Sequence, residues 1–266
     1  MTATTVSRQA WSEQIMGMPI SVHLRGSAAA SLRQAAVEAV FTELRAVDQI
    51  FSTYREDSDI SQLDRGEVTA ARCDPTVRDV LDLSERARAA TDGYFNVWLP
   101  GADGSVHLDP SGLVKGWAAE RAAGRLAELG ADDHYLNAGG DIALGCASAQ
   151  SPPWRIGIEH PDRPGELLGV LPLNTGGIAT SGTAQRGAHI IDPLTGQAVT
   201  ALRSVTVIGP SLLWADVYAT AAFARGLDGF DWLAGLDGYE ALVLTAEGTI
   251  RLTDGMRTLL QPAPTT

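Results

Sequence analysis

From residue 133 to about 193 the apolar residues stop recurring at helical spacing and fall into short runs. DHYLNAGGDIALG, WRIGIEH, LLGVLPL, GGIATSG and HIIDP are each bounded by Gly, Pro or Asp, as strands joined by tight turns are. That half of the chain must be rich in β-structure. Earlier segments keep the other period. Residues 28–50 place Val37, Val40, Leu44 and Val47 on one stripe of a long amphipathic helix. A second helix is expected over 75–91, opened by Asp74 as cap and Pro75 in the first turn. A third is expected over 115–129, ending at Gly130. Residues 15–25 alternate as a strand does, and FSTYREDSDISQLDRGE reads as a loop or short helical turns. SVTVIGPSLLWADVYATAAFARG reads as strand, turn and helix, and EALVLTAEGTIRLTDG as a hairpin-like pair. No Pro- or Ser-rich linker and no repeat divides the chain. The expectation is an α+β fold with a mostly antiparallel sheet and packed helices, in a single domain over 15–260. Residues 1–14 are expected to be a flexible lead-in, and 261–266 a tail.

The formal net charge of −12 argues against nucleic acid or an anionic membrane as the main partner. It also sets a condition: a phosphate ligand would need local positive charge, from a metal ion or from isolated basic groups. Cys73 and Cys146 lie far apart and in no CxxC or CxxH pattern, so neither a zinc site nor a disulfide framework is indicated. No basic start followed by a long apolar run opens the sequence, and no apolar stretch is long enough for a bilayer. A cytoplasmic location is the expectation.

One lysine, Lys115, stands among nineteen arginines. An ammonium is a compact, strongly hydrated point charge where a guanidinium is a broad fork. A tight site beside an anion is one reason to keep it, and a surviving surface lysine is the other. In WADVYATAAF, Asp216 and Thr220 lie four residues apart on one helical face, presenting two oxygens to a single point. That suits a hard cation such as Mg²⁺ once backbone, water or substrate oxygens complete the shell, although an Asp near a helix start is also a common cap. Thr180, Ser181 and Gly182 form a small polar turn able to hold a phosphate oxygen. His189, just before Asp192-Pro193, is a candidate general base, with a hydrogen-bonded structural imidazole as the plainer alternative. Asn137, Gly139, Gly140 and Asp141 allow close backbone approach by a ligand, or make a plain turn. They are not the GxGxxG dinucleotide fingerprint, because no helix pattern follows. Tyr54 and Ser58 put an aromatic ring beside hydrogen-bonding groups, and Arg55 and Arg186 are candidate phosphate partners.

The order of these segments says more than any one of them. MGMPISV, FSTYREDSDISQL, TDGYFN, LDPSGLVKGWAAE, LNAGGDIALG, WRIGIEHP, IATSG, HIIDPLTG and SVTVIGPSLLWADVYAT, from about Ile15 to Leu252, together resemble the ApbE family of flavin transferases. The resemblance implies an α+β fold with FAD in a cleft and Mg²⁺ at its pyrophosphate. It also implies transfer of FMN to a Thr or Ser hydroxyl of a client flavoprotein, with AMP released. Carried over motif by motif, Asp216 and Thr220 are the side-chain metal ligands and the Gly112 carbonyl is the backbone ligand. Lys115 then sits beside the diphosphate, and His189 is the base for the incoming hydroxyl. Met16, Tyr54, Ser58, Asp109, Asn137, Asp141, Thr180 and Ser181 fall in segments that line the flavin and adenosine pockets.

The chain departs from the family pattern at Asn96, where TDGxFD has its acid, and in a short stretch between Gly182 and His189. Two other activities use the same residues: a Mg²⁺-dependent FAD pyrophosphatase yielding FMN and AMP, and a flavin-binding protein without turnover.

Overall fold

Residues on either side of Met16-Gly17 fold back on one another because both turn positions are left-handed. Met16 has φ 54° and Gly17 φ 71°, the backbone that a two-residue hairpin requires. The strands so joined are β1 (Arg8–Ile15) and β2 (Met18–Arg25), in register from Ile15↔Met18 to Arg8↔Arg25. The computed structural model describes residues 8–101, 103–183, 190–193 and 195–264. Helices α1 (Ala30–Phe51), α2 (Asp59–Asp64) and α3 (Pro75–Ala90) follow the hairpin. A small two-stranded sheet, β3 (Trp98–Pro100) with β4 (Val106–Leu108), leads into α4 (Ser111–Glu128). Then come β5 (His134–Ala138), β6 (Asp141–Gly145), the separate hairpin β7 (Trp154–Glu159) with β8 (Leu167–Leu173), and β9 (Gly176–Gly182). β10 (Leu202–Gly209), α5 (Leu212–Ala224), α6 (Gly229–Leu233), β11 (Glu240–Thr245), β12 (Ile250–Leu252) and α7 (Asp254–Leu259) complete the order.

Eight strands form one sheet in the order β1-β2-β5-β6-β9-β10-β11-β12. Every neighbouring pair is antiparallel, as the α+β expectation required. The period of two sorts side chains to the two faces. Ala143, Ala179, Val205, Val207, Ala241 and Val243 join the core beneath α1, α4 and α5. Ile142, Leu144, Ile178, Ile208 and Leu242 face the other way, onto β7, β8 and Met256 of α7. Helix α5 is buried nearly all round, which fits its apolar sequence. Among the described residues, no helix is long and apolar enough to cross a membrane.

Three expectations need correcting. Residues 8–14 are no flexible lead-in, since their alternating pattern pairs them along the whole length of β2. Gln261 is not loose tail either: its backbone bonds that of Val170 in both directions at 2.9 Å. Most relevant to function, α4 starts at Ser111 rather than 115. Pro110 stands at its N-cap position and the Asp109 carboxylate accepts the Ser111 N–H at 2.9 Å, both ordinary start signals. Lys115 therefore rides in the second turn of the helix rather than at its first residue.

Candidate functional site

Helices α4 and α5 cross almost backbone to backbone. A Cβ added at Gly116 would lie 3.1 Å from Asp216 Oδ2 and 3.2 Å from the Leu213 Cα, tight enough that its neighbours would have to give by a few tenths of an ångström. The crossing brings Lys115 of α4 against Asp216 of α5, which is 2% exposed. Lys115 Nζ stands 3.5 Å from Asp216 Oδ1 and 2.5 Å from Oδ2 of Asp141, the first residue of β6. Asp141 is tied to the sheet in turn, because its Oδ1 accepts the Thr180 N–H at 3.0 Å. Ser181 on β9 and Thr220 on α5 share a hydroxyl–hydroxyl hydrogen bond of 2.9 Å. Two helices and two strands thus converge on one polar cluster in an otherwise apolar layer.

The charges there do not balance. Among the described residues, two buried carboxylates face one ammonium, an excess of negative charge. Burial pushes the Asp216 carboxyl well above its usual range, Lys115 pulls it back, and the neighbouring Asp141 charge adds to the rise. Burial alone would lower the Lys115 ammonium, but Asp216 and Asp141 outweigh it and hold it above its ordinary value. Among the described residues, Asp216 Oδ2 is buried without a hydrogen bond. An orphaned carboxylate oxygen, on the helix that also carries the Thr220 hydroxyl, is a donor set of hard oxygens that suits a hard divalent cation. Among the described residues, no three His, Cys, Asp or Glu side chains converge as a ready-made cage. A cation here must complete its shell with backbone, water or substrate oxygens.

The remaining sequence candidates divide. Gly112 lies in the first turn of α4, one turn before Gly116, with the Phe95 ring beneath it. Asp109 caps the same helix. Asn137 Oδ1 accepts the Gly140 N–H at 2.8 Å and so shapes the turn that delivers Asp141. Thr180 and Ser181, adjacent on a strand, point to opposite faces. Ser181 reaches Thr220, whereas the Thr180 hydroxyl pairs with Thr206 at 2.9 Å, so only the Thr180 backbone touches the cluster. Ser58 is buried and fully used, donating to the Ser52 carbonyl and accepting the Ser61 N–H at the start of α2. Tyr54 is 92% exposed, free to meet a ligand ring, and Met16 is the hairpin turn, packed partly against the core. Arg55 pairs with Asp57 at 3.1 Å. His189 and Arg186 lie outside the described residues. Asn96 Oδ1 accepts the Trp98 N–H at 3.0 Å, work that the family's aspartate could do equally well.

Sequence reasoning missed Glu120. Its Oε2 accepts from Ser211 Oγ at 2.7 Å and from the Leu213 N–H at 2.8 Å, docking α4 onto the N-terminus of α5 one turn before Asp216. The sequence signal was a carboxylate four residues after Gly116, on the side of α4 that carries the crossing. Glu120→Ala is expected to cost about 1–3 kcal/mol by stranding two donors. Glu120→Gln, which keeps one oxygen for both bonds, should recover most of it. Urea denaturation checks the pair, and an alanine variant as stable as wild type would discount the tether.

The ApbE family model matches residues 16–103 and 98–243. A FAD:protein FMN transferase of Haemophilus influenzae is 34% identical over 134 residues, covering 46% of this chain and 39% of that protein. A FAD:protein FMN transferase of Escherichia coli K12 is 26% identical over 283 residues, covering 85% of this chain and 79% of that one. The match thus spans less than half of the first relative's length and about four fifths of the second's. In three dimensions the chain is similar to the ApbE protein from Thermotoga maritima, with a TM-score of 0.81 at 19% identity over 95% of this chain and 99% of that one. That likeness establishes a shared fold.

Proposed function

The chain belongs to the ApbE family, and from that premise we propose that it is a FAD:protein FMN transferase, moving FMN from FAD to a Thr or Ser hydroxyl of a client flavoprotein with release of AMP. The observation that carries the proposal is the α4–α5 cluster, in which Lys115 meets two buried carboxylates and Asp216 keeps an unpartnered oxygen. An acidic protein that binds a diphosphate needs such local positive charge, and the cluster supplies one ammonium and the donors for a divalent ion. Asp216, Thr220 and the Gly112 carbonyl would hold Mg²⁺, which when bound neutralises charge on the diphosphate and on the departing AMP.

The chain's own groups do the positioning. Lys115 places its ammonium toward the diphosphate, with Asp141 fixing the side chain. Exposed Tyr54 offers a face for a planar ring, and the Asn137–Asp141 turn allows close backbone approach. In the transfer, the acceptor oxygen bonds to the FMN phosphorus while the bond from that phosphorus to the bridging oxygen breaks. AMP leaves with that electron pair. The acceptor proton goes to a base, a role we assign to His189 from its sequence motif.

Incubation with FAD, Mg²⁺ and a client carrying an acceptor Thr or Ser is expected to yield AMP and gel-stable flavin fluorescence in equal amounts, both abolished by a chelator. Free FMN without labelled client would make the protein a FAD pyrophosphatase. Intact FAD would make it a flavin binder, and either result would remove the transferase reading.

A further inference from the structure

We infer that Lys115 holds the pocket against a lone divalent cation and yields it when a diphosphate arrives, so that metal and dinucleotide load together. The inference rests on the reading of this pocket as the metal and FAD site, and it concerns how that site is filled. Lys115 Nζ reaches both carboxylates, at 2.5 Å from Asp141 and 3.5 Å from Asp216. Any cation that engages the orphaned Asp216 Oδ2 therefore arrives next to an ammonium already on the same carboxylate. Like charges at such separations repel strongly away from bulk water. The ammonium cannot simply drift off. Its stem rises from the second turn of α4, and its closer partner Asp141 is pinned by the Thr180 N–H.

A diphosphate changes this balance in two ways. Its anionic oxygens give the ammonium a new partner, which lowers the repulsion at Asp216. They also give the metal ligands that the protein lacks, since the described residues offer no three-residue cage. Each ligand therefore favours the other, and by linkage the coupling is the same in both directions. The device keeps free metal from occupying the site unproductively, and it assigns Asp141 a positioning role: it parks the ammonium on its own side of the pocket.

The test titrates Mn²⁺, followed by electron paramagnetic resonance, into wild type and Lys115→Met without nucleotide. Lys115→Met should bind Mn²⁺ about tenfold or more tightly than wild type, as removal of a close like charge requires. Wild type should gain about tenfold or more in Mn²⁺ affinity when ADP, a diphosphate without flavin, is added, and Lys115→Met should gain less. Should Lys115→Met not fold, Lys115→Gln, which removes the charge but keeps a hydrogen-bond donor for Asp141, carries the same comparison. Equal or weaker Mn²⁺ binding by the variant, beside a normal ADP-dependent wild type, overturns this inference alone. A wild type that ignores Mn²⁺ even with ADP overturns the metal reading and this inference with it.

Discussion

Asparagine in place of Asp216 should cut FMN transfer by about a thousandfold or more while the protein stays folded, as expected when a charged group essential to phosphoryl chemistry is neutralised. The amide keeps the shape of the side chain, so the α4–α5 crossing is preserved. Stability should hold or rise. Asp216 is a buried carboxylate with one oxygen unpartnered, and neutralising it leaves Lys115 and Asp141 as a balanced pair. Rates of AMP release at saturating FAD, read beside the thermal midpoint, separate the two effects. Transfer at the wild-type rate would show that the metal ligand has been misassigned, whereas lost activity with a collapsed midpoint would point to a merely structural carboxylate.

Gly177→Val should cost a large share of the stability without changing any charge. Gly177 lies on β9 beneath the start of α5, and an added Cβ would come within 2.6 Å of the Leu212 nitrogen. Backbone cannot rotate aside as a side chain can. Overpacking of this kind costs about 3 kcal/mol or more, which for a chain of this size lowers the midpoint by roughly 5–10 °C. Calorimetry checks it, and a midpoint within a degree of wild type would mean that α5 shifts freely on the sheet. Transfer should fall as well, because the helix that moves carries Asp216 and Thr220.

Local physics made much of the fold legible. The 3.6-residue period of 28–50 became α1, Asp74-Pro75 opened α3 as caps do, and the short runs after residue 130 became strands. The start of α4 lies four residues earlier than expected, where Asp109 and Pro110 stand. Alternation along β9 could have told Thr180 from Ser181. The pairing of Lys115 with Asp141 and Asp216 was beyond any spacing rule. Those residues meet only because β6 and β9 lie side by side and α5 folds back across them. Asp216 and Thr220 could be proposed because both sit on one helix. Glu120 escaped because its partners, Ser211 and Leu213, are some ninety residues away.

Strand β6 meets β9 only after the β7–β8 hairpin has been passed, and α5 arrives later still. A nascent chain emerging from the ribosome therefore carries the cluster only in part: the ammonium and its first carboxylate wait for the second. The ion-pair cluster is completed late in synthesis, once α5 has been made.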